Sequence, residues 1–194
     1  AGQFKLTSPF VLEAARKHAA NFVTGVKRET KRAVRRIMFE SIRDGHAPAV
    51  AARTIRNIVG LTERHAIAVQ RFAVNNTERG TARYARKLLN LRARNIARTE
   101  TIKASNVGQQ EAWKQMARDN LIDTSRFRQR WLTTDDDRTC DLCAPMDGML
   151  VALGGSFESS ERGVLPSDRE AYAGETVDSP PLHPSCRCAL VADF

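Results

Sequence analysis

Every cysteine of this 194-residue chain lies in one of two short clusters near the C-terminus, Cys140-Asp141-Leu142-Cys143 and His183-Pro184-Ser185-Cys186-Arg187-Cys188. A fold that brings these clusters together can pin a loop-rich segment around one ion. Zinc favours four thiolate or imidazole ligands in a tetrahedron, and Cys-x-x-Cys lets one tight turn supply two of them. Five candidates, Cys140, Cys143, Cys186, Cys188 and His183, compete for four places. The preferred set is Cys140, Cys143, Cys186 and Cys188, with His183 replacing one of the last two as the alternative. A full set of protein ligands leaves no open position, so the expected zinc is structural. Free, partly buried thiols and a redox pair are the competing readings. The strand–helix setting of a thioredoxin-type Cys-x-x-Cys is missing.

The start, Ala1-Gly2-Gln3-Phe4-Lys5, lacks the basic and apolar regions of a signal peptide. Without a secretory signal, four cysteines argue for a reducing compartment and against a disulfide framework. Cys186 and Cys188 are also too close for an unstrained mutual disulfide. No apolar run approaches the ~20 residues of a membrane-spanning helix, so no membrane partner is expected.

Charge divides the chain unevenly. Up to residue 103 there are 22 Lys and Arg against 7 Asp and Glu; beyond it there are 9 against 15. The excess of +15 in the first part suits DNA or an acidic protein surface, and a solvated Arg/Lys face is the plain alternative.

Texture divides it too. Residues 8–44 read as one long helix: Ser8-Pro9 is a start signal, apolar residues recur at helical spacing through Leu12, Ala15, Ala19, Phe22/Val23, Val26, Ala33 and Ile37, and Asp44-Gly45 is a stop. Lys27, Arg28, Lys31, Arg32, Arg35 and Arg36 form a basic stripe along it. Pro48 opens a second helix over about 48–59, Thr62 caps a third over about 62–75, and a long helical stretch spans about 77–119, where Gly108 is read as an interruption or kink. After residue 120 come five of the seven prolines, short β-like runs at 130–134, 148–153 and 188–192, and a polar loop at 154–181. The predicted fold is α+β: a long, basic, mainly helical part at 1–119, then a small loop-rich, β-containing, metal-binding module at 120–194, stapled by zinc because its core is thin.

Other constellations carry less chemistry. Asp135-Asp136-Asp137 suggests a Mg²⁺ or Ca²⁺ site, but adjacent side chains of an extended segment diverge, so a turn leading to the metal knuckle is the preferred reading. Arg98-Thr99-Glu100 is no catalytic triplet at helical spacing; Arg98 or Glu100 is expected in a buried polar network between the two parts. His18, His46 and His65 are scattered. No phosphate loop, nucleophile elbow or His-Glu-x-x-His occurs, so no catalytic residue is expected and the chain reads as a non-enzyme.

The order of several motifs is more telling than any one. Ala97-Arg98-Thr99-Glu100-Thr101 with Asn106, then Trp131-Leu132-Thr133-Thr134, Asp137-Arg138-Thr139-Cys140-Asp141-Leu142-Cys143, Met146-Asp147-Gly148 and Pro180-Pro181-Leu182-His183-Pro184-Ser185-Cys186-Arg187-Cys188 resembles the phage Mu F-like minor head proteins, also called phage head morphogenesis proteins. The resemblance spans roughly residues 85–190, and the helical front, about 8–80, agrees only in general character. Many such proteins carry His where Cys143 stands and lack a counterpart of Cys140, which implies a metal ligand at 143. The resemblance further implies a minor capsid protein, present in multiple copies per head, that associates with the portal protein and inner capsid and acts in head assembly, DNA packaging or DNA ejection. Its expected location is the virion or procapsid interior, with host cytoplasm before assembly. Double-stranded DNA is a further expected partner of the basic helices. The alternatives are a zinc-knuckle nucleic-acid-binding protein not tied to a particle and, behind it, a metal-dependent nuclease or toxin using Asp135–Asp137 and His183.

Overall fold

The computed structural model describes residues 8–18, 26, 28–134, 136–159 and 172–194. Among the described residues five helices come first: α1 (Pro9–His18), α2 (Arg28–Arg43), α3 (Pro48–Arg56), α4 (Glu63–Ala73) and α5 (Glu78–Arg118). The strands follow: β1 (Arg128–Leu132), β2 (Leu150–Ala152), β3 (Phe157–Glu158), β4 (Thr176–Val177) and β5 (Ala189–Asp193). This is the α+β order expected, a mainly helical part ahead of a small strand-containing module.

Helix ends follow local chemistry. Ser8, Thr62 and Thr77 accept hydrogen bonds through their hydroxyl oxygens from the amides of Val11, His65 and Gly80, at 3.4, 3.2 and 3.2 Å. Pro48 occupies the first turn of α3. Gly45 closes α2 with φ +68°, and the amides of Gly45 and His46 return to the carbonyls of Ile42 and Ser41. Asn120 does the same for α5 with φ 55°.

The expectation of one helix over 8–44 is corrected. In a straight helix Val11 and Val34 would lie about 35 Å apart. Instead α1 and α2 pack against each other, and Val11 and Ala15 share a core with Val34 and Met38. Apolar spacing does not distinguish one long helix from two helices lying side by side. Ala19, Phe22, Val23 and Lys27 lie outside the described residues. On α2 the buried face carries Val34, Met38, Ser41 and Ile42, whereas Arg28, Arg32 and Arg36 are exposed.

Gly108 does not interrupt α5, which runs unbroken from Glu78 to Arg118. Its role is close approach. A Cβ at position 108 would stand 2.6 Å from Val11 Cα and 2.7 Å from Val11 N, so α1 lies against α5 almost backbone to backbone.

Two apolar cores result. The first is built by α1, α2, α3 and α5 around Met38, Ile55 and Ala97. The second lies within the module, around Phe127, Trp131, Leu142, Met146, Phe157 and Leu190, and takes Trp113 from the far end of α5. Trp113 meets Phe127, and Trp131 meets Phe157, edge to face at 5.3 Å between centroids. The antiparallel sheet has the order β2–β1–β5, with Arg130 opposite Leu150 and Trp131 opposite Leu190. Its buried face presents Gln129, Trp131 and Leu190 to the core. The 154–181 stretch, expected as loop, contains β3 and β4, paired at Phe157 and Val177. Two-residue strands carry too little alternation to be read from sequence.

Candidate metal centre

The two clusters meet at one place. Cys140 and Cys143 flank a tight turn in which the amides of Cys143 and Ala144 both donate to the Cys140 carbonyl at 2.9 Å. His183 and Cys186 flank a second turn, closed by the Cys186 amide on the His183 carbonyl at 3.1 Å. Ser185 lies within that turn at φ +69°, a left-handed conformation that non-glycine residues seldom take. The chain then runs through Cys188 into β5, so the sheet fixes one end of the ligand loop.

The donors form two overlapping trios, Cys140–Cys143–His183 and Cys143–Cys186–Cys188, and within each trio the donor atoms lie within 4.8 Å of one another. Cys143 belongs to both. His183 Nε2 stands 3.1 Å from Cys140 Sγ and 3.3 Å from Cys143 Sγ, and the Cys143 and Cys186 sulfurs are 3.7 Å apart. Two thiolates at about 2.3 Å from a tetrahedral zinc would lie about 3.8 Å from each other. His183 Nδ1 donates to the Pro184 carbonyl at 2.8 Å. A carbonyl can only accept, so Nδ1 carries a proton and Nε2 is the nitrogen that faces the sulfurs. Although burial opposes it, the Cys140 thiolate and the Pro184 carbonyl raise the ring's hold on a second proton, which a metal ion at Nε2 would displace. An outer hydrogen bond of this kind orients metal-binding histidines. The space among the donors is about 30 Å³, bounded also by Thr134, Arg138 and Arg187. That is room for an ion or a water and not for an organic substrate.

Electrostatics favour a cation there. The Cys143 thiol donates to Cys140, which, with His183 adding to the effect against burial, draws the Cys140 thiol down to about 3. Contacts with Cys143 and Cys188 draw Cys186 down to about 2. Cys143 is pushed up by Cys140, Cys186 and Cys188, and by burial. Cys188 is lowered by Cys143 but raised more by Cys186 and burial, to about 12. Thiolates therefore share the protons of neighbouring thiols in a buried space. A divalent cation replaces those protons, which is why metal binding releases them. The Trp131 indole N–H is buried without a hydrogen bond of normal geometry, and it bears on the Cys188 sulfur. The residues present thus fit a metal ion.

The remaining expectations fall elsewhere. Asp136 pairs with Arg187, its carboxylate accepting at 2.8 Å, and turns the chain toward Cys140. Asp137 is exposed, Asp135 lies outside the described residues, and neither Asp136 nor Asp137 joins a donor group. His46 and His65 are in the helical part and join none either.

The network between the two parts exists, and it takes in residues beyond the expected Arg98 and Glu100. Thr99 accepts from the Ser185 amide at 2.9 Å, whereas Arg98 reaches the Ser185 carbonyl at 3.4 Å. Glu100 is buried near Lys103, which also faces Asp178. Asn106 holds the carbonyls of Pro180 and Cys188 and the amide of Leu190, and Gln110 donates to Gln129 and to the Asp178 carbonyl. Asn106 stood in the motif order that carries the resemblance, but without a role, and Gln110 gave no signal beyond a polar residue at helical spacing.

The chain matches the phage Mu protein F-like family over residues 32–191. It belongs to that family. The match runs from within α2 into β5, so most of the helical front is part of the family's extent and not merely similar in character. No curated protein and no solved structure matches the chain. Membership carries head morphogenesis as the broad function and the phage head as the setting. No described helix is long and apolar enough to cross a membrane.

Proposed function

We propose that this chain is a non-enzymatic minor head protein that associates with the portal and inner capsid of a tailed phage or prophage and acts in assembly, packaging or ejection of DNA. The observation that carries this reading is the family match over residues 32–191, most of the chain. The zinc-stapled module serves as a rigid platform, and the helical front presents surface to head components. Five nitrogen and sulfur donors around an ion-sized space support zinc, held by four of them, in a structural role. The test is co-expression with the neighbouring head genes. Co-sedimentation with portal or procapsids is expected, and a chain that stays apart from every head component overturns the reading. Elemental analysis of the purified chain is expected to give one zinc per chain; none, with four titratable thiols and an unchanged fold, removes the staple.

A second reading keeps the zinc knuckle and replaces the particle with nucleic acid. The exposed Arg28, Arg32 and Arg36 of α2 support it. Low aromatic content, 6%, leaves phosphate contact as the mode, so binding would fall steeply with salt. A steep salt slope without affinity for portal favours this reading over the first.

A further inference from the structure

We propose that Thr99 and Asn106 of α5 are positioning residues for the metal-ligand loop, so that the geometry of the donors is templated by the helix as well as by the ion. The inference rests on reading the five donors as a metal site. It begins with Ser185. For His183 and Cys186 to face one space the chain must reverse within four residues, and this puts Ser185 at φ +69°. Such a conformation is unfavourable for a non-glycine residue and persists where the surroundings over-determine it. The surroundings here are α5. The Thr99 hydroxyl oxygen, 1% exposed at the residue level, accepts from the Ser185 amide at 2.9 Å. Seven residues on, about two turns and hence on the same face, Asn106 uses both ends of its amide. Its Nδ2 donates to the carbonyls of Pro180 at 3.1 Å and Cys188 at 3.3 Å, and its Oδ1 accepts from the Leu190 amide at 3.0 Å. Asn106 therefore grips the loop just before His183 and again where it enters β5, and Thr99 grips its middle.

Neither side chain is a donor to the ion; both act through backbone that carries donors. Groups that orient ligands in this way typically contribute about 10–100-fold to metal affinity. The coupling is reciprocal: an ion that fixes the loop must also tighten its hold on α5.

The experiment uses the full chain, with Co(II) as the probe and its thiolate absorption as the signal, in competition with a chelator. Thr99→Val keeps the shape and removes the acceptor. It is expected to weaken Co(II) binding by about 10–100-fold, while Thr99→Ser restores it close to native. Hydrogen exchange in the native chain gives a second readout. The Ser185 and Leu190 amides, whose acceptors lie on α5, are expected to lose protection when the ion is stripped. This readout stands even if T99V fails to fold. Native affinity and spectrum in a folded T99V chain, or unchanged protection of both amides on stripping, overturns the positioning role. A native chain that takes up no Co(II) instead removes the metal reading itself.

Discussion

The two halves of α5 obey different rules although one helix carries both. From Glu78 to Leu91 no residue is buried; from Arg92 to Trp113 ten are, and they include Thr99, Glu100, Asn106 and Gln110. The first half pairs with α4, itself without a buried residue, through contacts such as the stacking of Phe72 on Tyr84 at 4.6 Å. The second half is the shared wall of both cores and the anchor of the ligand loop. Regular backbone therefore says little about what a segment does. The exposed half holds its form through caps and propensity and offers surface, with its own Leu91 and the neighbouring Val74, at the end of α4, open to solvent. The buried half fixes the module.

The difference can be broken most forcefully at Cys143, the donor common to both trios. Cys143→Ser, or a strong chelator, is expected to remove a metal contribution on the order of 10 kcal/mol. The near-ultraviolet signal of Trp131 should collapse while amide exchange at 78–91 stays as it was. Equal loss in both halves would show that they are one cooperative unit. Next in size is Asn106→Ala, which leaves two carbonyls and one amide buried without partners. Each such group costs about 1–3 kcal/mol, so denaturant unfolding should show a loss of about 3 kcal/mol or more.

Gly108→Val should cost about 1–3 kcal/mol by overpacking against Val11, read as a shift in the same unfolding midpoint. By contrast, Val74→Ser next to the exposed half should change stability by less than about 0.5 kcal/mol; a larger loss would mean that this half is packed in solution. The smallest effect concerns pH. Hydrogen bonds from Arg16, then Lys17, lower the Glu13 carboxyl from 4.5 to about 2. A folded value below the unfolded one contributes stability that is present above about 4.5 and lost as pH falls toward about 2. Glu13→Gln should flatten that slope alone in acid titrations of stability.

What the sequence disclosed follows the same division. That Cys140, Cys143, His183, Cys186 and Cys188 gather into groups able to hold an ion was legible because ligand chemistry is local: two donors per turn, residue types with few other reasons to cluster. The caps at Ser8 and Thr62 and the stop at Gly45 were legible for the same reason. The grip of α5 on the ligand loop was not, since Thr99 and Asn106 find partners 74 to 86 residues away. Arg98 and Glu100 drew attention by their charge, but an uncharged hydroxyl makes the shorter bond to Ser185. The parting of α1 from α2 was hidden because both keep helical spacing.

Gly108 has a consequence beyond tight contact. Ordinary helix pairs keep their axes about 8–10 Å apart, with side chains filling the gap. At Gly108 there is no side chain to fill it, and Val11 comes within van der Waals reach of the bare backbone. The position acts as a gauge: it admits a helix that can come in this close and rejects one that needs normal clearance. The gauge lies inside the family-matched stretch, whereas the helix it measures lies outside it.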